Sequence, residues 1–341
     1  MVSGKRRAAA LVLALVCLLS LFSCGKKDAR ILESSKLEKT PLMTVDGIDV
    51  PLELYRYVAL NYKADYEAAY SSSVGSGPDA AEKLEELDND VKDTLVKLYA
   101  TISLCRKYGI KEDDSYITDA VEKQMQDLYE EAGSDYEAFD EYLRGHNMTD
   151  GVYRFIIRND ILSEELLARM IQNGEFPSEE EELEAILTGP EFVRIKQILV
   201  PSDNGKSEAE NEARAEELEA MAKAGEDFDA LVQKYGGDLF MFNNPDGYYI
   251  SRGNYHKAFE EAAFSLSVGE ISGVVRTDAG WSVLKRYEKE ADYLLEHFDD
   301  LADEYLRGQY NEKLEAYAAS LSAEPTERLA EYTIFNLNNT Y

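Results

Sequence analysis

The 341-residue chain is poor in cysteine, histidine, tryptophan and positive charge. Its three cysteines are Cys17, Cys24 and Cys105, and two of them lie in the first 24 residues. Cys105 then stands alone, so no intramolecular disulfide is available to the body of the protein. With three histidines and no metal-ligand spacing, the sequence calls for no metal and no other cofactor. Packing alone must hold the fold. Basic residues number 36 against 67 acidic ones, a formal charge of −31. So acidic a balance excludes a nucleic-acid binder, which needs a basic footprint to displace counterions. It also excludes a body that lies on anionic lipid. There is no internal repeat and no block of low complexity.

What is present is enough apolar material for real cores. The hydrophobic fraction is 45%, too high for global disorder. The length suggests about two domains. The 23 tyrosines against one tryptophan are unusual.

Residues 1–23 read as a secretory signal. Lys5, Arg6 and Arg7 form a basic start, and 8–19 is an apolar run too short to span a bilayer comfortably. Leu21-Phe22-Ser23-Cys24-Gly25 then resembles the bacterial lipobox. That resemblance implies cleavage before Cys24 and a lipid thioether on it, with the acyl chains supplying membrane attachment. An ordinary signal peptide or a signal anchor, with an incidental cysteine, is the other reading. Residues 24–42, rich in Lys, Glu and Ser, read as a tether.

The body begins with a hairpin signal, Asp46-Gly47 between short β-type runs. A helix from Pro51 to about Tyr70 follows, then a loop over 71–79. Residues 80–189 are helical in pattern, with breaks near Gly109, Gly133, Gly145 and Gly174. Ser134 with Glu137 and Ser178 with Glu181 read as capping boxes. At Glu191 the pattern changes. Residues 191–201 read as a strand, and Ser207 with Glu210 caps a charged helix. Phe228, Leu231, Val232 and Tyr235 mark a second, short helix, and a loop follows it. Residues 248–251 read as a strand, 255–266 as a helix, and 271–276 and 281–287 as strands. Helix returns after Glu290, with stripes at Leu294, Phe298, Leu301, Tyr305 and at Leu314, Tyr317, Leu321.

Three stretches carry a family resemblance: VRIKQILV from Val193, AGEDFDALVQKYGGD from Ala224, and GYYISRGNYHKAFEEAAFSLSVGEISGVVRTDAGWSVLKRYEK from Gly247. In these residues, 190–290 resembles a parvulin (PpiC-type) peptidyl-prolyl isomerase domain. With the lipobox and the helical arms, the chain resembles PrsA-type extracytoplasmic foldase lipoproteins. It is similar in plan to SurA-type chaperones. The implied fold class is α+β: a mostly helical N- and C-terminal chaperone domain (43–189 and 291–341) with an inserted antiparallel-sheet domain. The implied partners are unfolded or partly folded exported proteins and their X–Pro segments. A homodimer is one assembly this plan allows.

The resemblance also proposes a site, with departures. Parvulins pair two buried histidines with an Asp or Cys. This chain has Gln197 at the first histidine position and Ser282 at the second, and Asp238 matches the acid. Tyr255 stands where a methionine is common, and Phe259 keeps an aromatic. Tyr249 and Trp281 complete the expected substrate-binding set. Gln197 and Ser282 can both donate and accept, so they can keep a hydrogen-bonded bridge. Alternatively their double replacement marks a site without catalysis, leaving a non-catalytic holdase with a degenerate parvulin fold. An envelope solute-binding lipoprotein is a third reading, and it predicts two α/β lobes around a cleft. Tyr55, Tyr62, Tyr66 and Tyr70 are spaced for one helix. They read either as half-buried core with hydroxyls at the rim or as a client surface.

Overall fold

A computed structural model describes residues 41–70, 73–77, 80–202 and 204–337. The signal, Cys24 and residues 24–40 of the expected tether lie outside the described residues. Pro41 and Leu42 do not belong to a tether: they open strand β1 (Pro41–Val45), where Leu42 is fully buried. Asp46 and Gly47, with φ of 51° and 73°, turn the chain into β2 (Ile48–Pro51). This double positive φ is what a tight hairpin needs. Helices α1 (Leu52–Tyr70), α2 (Ala80–Lys107), α3 (Ser115–Glu131), α4 (Tyr136–Gly145), α5 (Asp150–Gln172) and α6 (Glu180–Thr188) follow. Next come β3 (Val193–Pro201), α7 (Glu208–Lys223), α8 (Phe228–Tyr235), α9 (Leu239–Asn243), β4 (Tyr248–Ile250), α10 (Lys257–Ser265), β5 (Ile271–Thr277) and β6 (Gly280–Tyr287). The chain ends with α11 (Ala291–Glu296), α12 (Phe298–Ala318), β7 (Ala323–Pro325) and a 3-10 turn over Glu327–Glu331. No helix among the described residues is long and apolar enough to cross a membrane.

The chain divides into two compact units. Of the described residues, one contains 41–67, 73–77, 80–169 and 314–337, and the other 68–70, 170–202 and 204–313. In the first, β1 sits between β2 and β7 in an antiparallel sheet. Along α2, Leu87, Val91 and Leu95 recur one turn apart and are buried, the stripe of a helix that faces a core. Tyr99 packs on Phe155 with ring centroids 5.5 Å apart, and its hydroxyl donates to the Asp49 carbonyl at 2.9 Å. The Asn159 amide donates to Leu98 O at 2.7 Å, and the Ser103 and Tyr317 hydroxyls are 2.8 Å apart. Tyr62 and Tyr66 reach Thr94 and Asp90 on α2, each at 2.7 Å. These tyrosines are packed with their hydroxyls engaged at the rim.

Cys105 is buried, and its Sγ lies 3.5 Å from Leu162 O. Burial first, then the charges of Glu112 and Glu165, push its thiol up to about 12. Only the thiolate is nucleophilic. Native protein is therefore expected to show no labelling of the Cys105 peptide by a maleimide, and full labelling in urea, read by mass spectrometry. Labelling at equal rates in both would contradict this packing.

The second unit holds a four-stranded antiparallel sheet in the order β4-β3-β6-β5. One sheet face packs on α7 and α8 through Ile198, Val200, Leu218, Phe228, Trp281 and Val283. The other packs on α10 through Val193, Ile195, Ile250, Phe259 and Leu284. Helix α7 carries the capping box read from the sequence: Ser207 Oγ accepts from Glu210 N at 3.3 Å, and Ser207 N donates to Glu210 Oε2 at 3.0 Å.

Several local expectations need correction. Ser134 has φ of 58°, and Asp135 caps α4, accepting from Glu137 N and Ala138 N. Ser178 caps nothing, because α6 starts one residue later, after Glu179. The loop expected after Tyr235 contains α9. Tyr255 precedes α10, whose cap is His256: its Nδ1 accepts from Ala258 N at 3.2 Å. The helix expected after Glu290 breaks at His297, between α11 and α12, and α12 then continues through Gly308.

Candidate functional site

Gln197 projects from β3 and Ser282 from β6, on the sheet face that carries Ile195 and Leu284. Ser282 pairs with Leu199 across the ladder, so it lies diagonal to Gln197. The diagonal is short enough for contact. Ser282 Oγ donates to Gln197 Oε1 at 2.7 Å. Gln197 Nε2 in turn donates to Asp238 Oδ2 at 2.6 Å. Tyr248, on β4, donates its hydroxyl to the same oxygen at 2.8 Å. Asp238 Oδ1 caps α9, accepting from Phe240 N at 2.9 Å. Gln197, Asp238 and Ser282 are all buried. Four side chains from four places in the sequence thus form one connected network. Burial, then the Asp238 carboxylate, holds the Tyr248 hydroxyl well above its ordinary pKa, so it stays a donor.

An aromatic row lies beside this network. Phe240 stacks on Tyr248 at 4.4 Å between centroids, Tyr248 meets Tyr255 edge-on at 6.1 Å, and Tyr255 stacks on Phe259 at 5.8 Å. Phe259 is buried and belongs to the core. Phe240 is 43% exposed, and beside it Leu239 and Phe242 are 76% and 43% exposed. Exposed apolar side chains grouped in this way mark a contact surface more often than scattered ones do.

The loop that carries Tyr255 is tightly organised. Glu260 Oε1 accepts from the backbone amides of Gly253, Asn254 and Tyr255 at 2.7, 3.0 and 2.9 Å. Three backbone donors on one carboxylate oxygen fix the loop and account for a buried acid on α10.

Two expected substrate-binding residues are elsewhere. Tyr249 pairs with Arg194 and faces away from Gln197. It stacks on Tyr293 at 4.3 Å within a cluster of Leu187, Phe192, Leu294 and Leu301. Trp281 lies under α7 on the opposite sheet face, in the apolar core. In each case strand alternation is the reason. Tyr248 and Ser282 point toward the network, so their neighbours Tyr249 and Trp281 must point away. Tyr248 and Phe240 were missed. Tyr248 was legible as the neighbour of Tyr249 on the opposite strand face, whereas the exposed side of a five-residue helix carries no periodic signal.

Comparison with known proteins finds two domain families along the chain. Residues 182–290 match the family described as the PPIC-type PPIASE domain. Residues 2–167 match the SurA-like N-terminal domain. The chain thus joins a region similar to PPIC-type isomerase domains to one similar to the SurA N-terminal domain. Foldase protein PrsA of Geobacillus kaustophilus is 27% identical over 202 residues, 59% of this chain and 62% of that protein. The Bacillus subtilis Foldase protein PrsA is 33% identical over 106 residues, 31% of this chain and 35% of its own length. Foldase protein PrsA of Caldanaerobacter subterraneus subsp. tengcongensis is 27% identical over 299 residues, 82% of each chain. The chain therefore spans less than two thirds of the first two PrsA relatives and most of the third.

Among the described residues, no group of three His, Cys, Asp or Glu side chains is placed to hold a metal ion. None of its histidines enters the network. His146 closes α4, His256 caps α10, and His297 separates α11 from α12, packed on Tyr293. Two α/β lobes, as a solute-binding protein would have, are not among the described elements.

Proposed function

We propose that this chain is an extracytoplasmic foldase, tethered to the membrane by a lipid on Cys24. Its helical unit holds unfolded exported chains, and its parvulin domain binds their X–Pro segments and speeds isomerisation. The observation that carries the isomerase reading is the connected Gln197–Asp238–Tyr248–Ser282 network beside the row Phe240, Tyr248, Tyr255 and Phe259.

The chemistry asks for little more. Rotation about an X–Pro bond meets a barrier of about 18–20 kcal/mol because the amide resists twisting. No bond breaks, and no proton needs to move. A catalyst needs an apolar seat for the pyrrolidine ring and fixed dipoles that favour the twisted amide. The aromatic row supplies the seat. Asp238 fixes Tyr248 and Gln197, and Ser282 fixes the far end of Gln197. Fixed dipoles cost no reorganisation when the amide twists.

A second reading has its own support. The Tyr248 and Ser282 hydroxyl hydrogens and one of the two Gln197 Nε2 hydrogens already have acceptors inside the network, which leaves at most one N–H for a substrate amide. That favours a peptide-binding holdase. Proline-limited refolding of a model substrate separates the two, since the uncatalysed phase takes on the order of 10–100 s. The full chain is expected to shorten this phase at sub-stoichiometric amounts. Tyr255→Ala should weaken the effect about tenfold with the fold intact by circular dichroism. No acceleration at equimolar protein, with client aggregation still suppressed, would establish the holdase instead. Cys24→Ser should abolish incorporation of a labelled fatty acid; retained label would remove the tether.

A further inference from the structure

The terminal helix α12 contributes one side chain to the candidate pocket that nothing so far explains. Glu304 is set below the Ser251–Tyr255 loop, within the same unit. Its carboxyl group is met by the Tyr255 side chain and by the Ser251 backbone. Its Oε1 is buried and finds no hydrogen-bond partner. A charged oxygen in that position would cost far more than a neutral one. The surroundings are closely clamped. Asn254 Nδ2 donates to Glu304 O at 2.7 Å, and Asn311 Nδ2 donates to Gly253 O at 3.0 Å and to Asn254 Oδ1 at 3.1 Å.

We infer that Glu304 is a positioning residue for the proline pocket: its neutral form packs under the Ser251–Tyr255 loop, and on ionisation its buried, unpartnered oxygen favours opening of that loop toward water, which displaces Tyr255. The inference rests on the reading of Tyr255 as a pocket residue. Burial first, opposed by the contacts with Ser251 and Tyr255, raises the carboxyl from 4.5 to about 7. The groups that face this assembly are known. Tyr255 feels the charge of Glu304 and faces Tyr248 and, from α10, Glu260, while Tyr293 feels Asp246, Arg194, Glu304 and Asp300. On α12 itself Arg307 is paired with Asp303 at 2.7 Å. Tyr255 stays protonated throughout, because burial and the neighbouring acids push it well above its ordinary value.

The sign follows from linkage. The packed state binds a proton that an exposed carboxyl would already have lost, so packing weakens as pH rises through about 7. A low-pH environment keeps the pocket assembled.

Two readouts on the full chain test this. The first is calorimetric titration with a proline-containing tetrapeptide, Ala-Leu-Pro-Phe. Its affinity is expected to fall about tenfold from about pH 6 to about pH 8, and to stay constant in Glu304→Gln. Asn311→Ala should weaken binding at every pH and keep the slope. The second needs no ligand: the NMR resonances of the Tyr255 ring should titrate near neutral pH in the unmodified chain and not in Glu304→Gln. A Tyr255 signal that does not titrate, or that titrates equally in Glu304→Gln, overturns the inference. A titrating Tyr255 with no peptide binding at any pH would leave the coupling standing and remove the pocket reading instead.

Discussion

Asp238→Ala is expected to destabilise the second unit by roughly 3–5 kcal/mol, the largest effect of any side-chain truncation in the candidate site. Three acceptor contacts are lost at once. Gln197 Nε2 and the Tyr248 hydroxyl would lose their common acceptor at Oδ2, and α9 would lose its cap at Oδ1. Each buried donor left without a partner costs about 1–3 kcal/mol, and a lost cap about 1 kcal/mol. Asp238→Asn separates these contributions. Its amide oxygen can replace Oδ2 and keep both side-chain donors, but its NH2 then faces Phe240 N. That variant should lose only about 1 kcal/mol, the share of the cap. Urea unfolding of the full chain, followed by a signal from Trp281 in the second unit, measures both. Equal midpoints for Asp238→Ala and the unmodified chain would mean that the network carries no stability.

The value of Asp238 bears on how far the site could be read in advance. Its position after Gly236-Gly237 matched the family acid, and Gln197 and Ser282 were legible as the residues that replace two histidines. Period-two alternation along the strands is the stronger rule. Tyr248 with Tyr249, and Trp281 with Ser282, are adjacent pairs on strands, so only one of each pair can face a common site. Applying the register would have exchanged Tyr249 for Tyr248 and removed Trp281. Other features had no local signal. Strand β7 is three residues long, and its partner Met43–Val45 lies about 280 residues earlier. Helix α9 is too short to show a period. Glu304 sits in a helix full of exposed acids and is itself half-buried, with its Oε1 closed off under the distant Ser251–Tyr255 loop. The helices of 80–189, by contrast, were legible because apolar spacing and glycine breaks are local. At their starts the sequence misled by one residue: Ser134 and Ser178 carry the capping chemistry, but Asp135 and Glu179 occupy the turn that precedes each helix.

The same loop gives the second large effect, and it reverses a general rule. Gly→Ala in a helix interior ordinarily stabilises by about 1 kcal/mol, because alanine loses less backbone entropy. Gly308 lies inside α12, yet a Cβ there would sit 2.1 Å from Arg252 O and 3.0 Å from Ser251 Oγ. The reciprocal contact is as close. A Cβ on Gly253 would meet Gly308 O at 2.1 Å, and Gly253 has φ of +95° besides. Two backbones touch where two glycines face each other, and a methyl group on either must drive them apart. Gly308→Ala is therefore expected to destabilise by about 2–4 kcal/mol in place of the usual gain. Gly253→Ala should cost at least as much, since left-handed backbone adds about 1–2 kcal/mol. Gly273→Ala is the control: it lies on β5 of the same sheet, with open space around its Cβ and an ordinary φ. It should be neutral or slightly stabilising. Parting the loop from α12 would also pull Asn254 and Tyr255 from Glu304. Gly308→Ala should then lose the near-neutral titration of the Tyr255 ring together with peptide affinity. A Gly308→Ala variant as stable as the unmodified chain, with that titration intact, would show that the contact does not position the pocket.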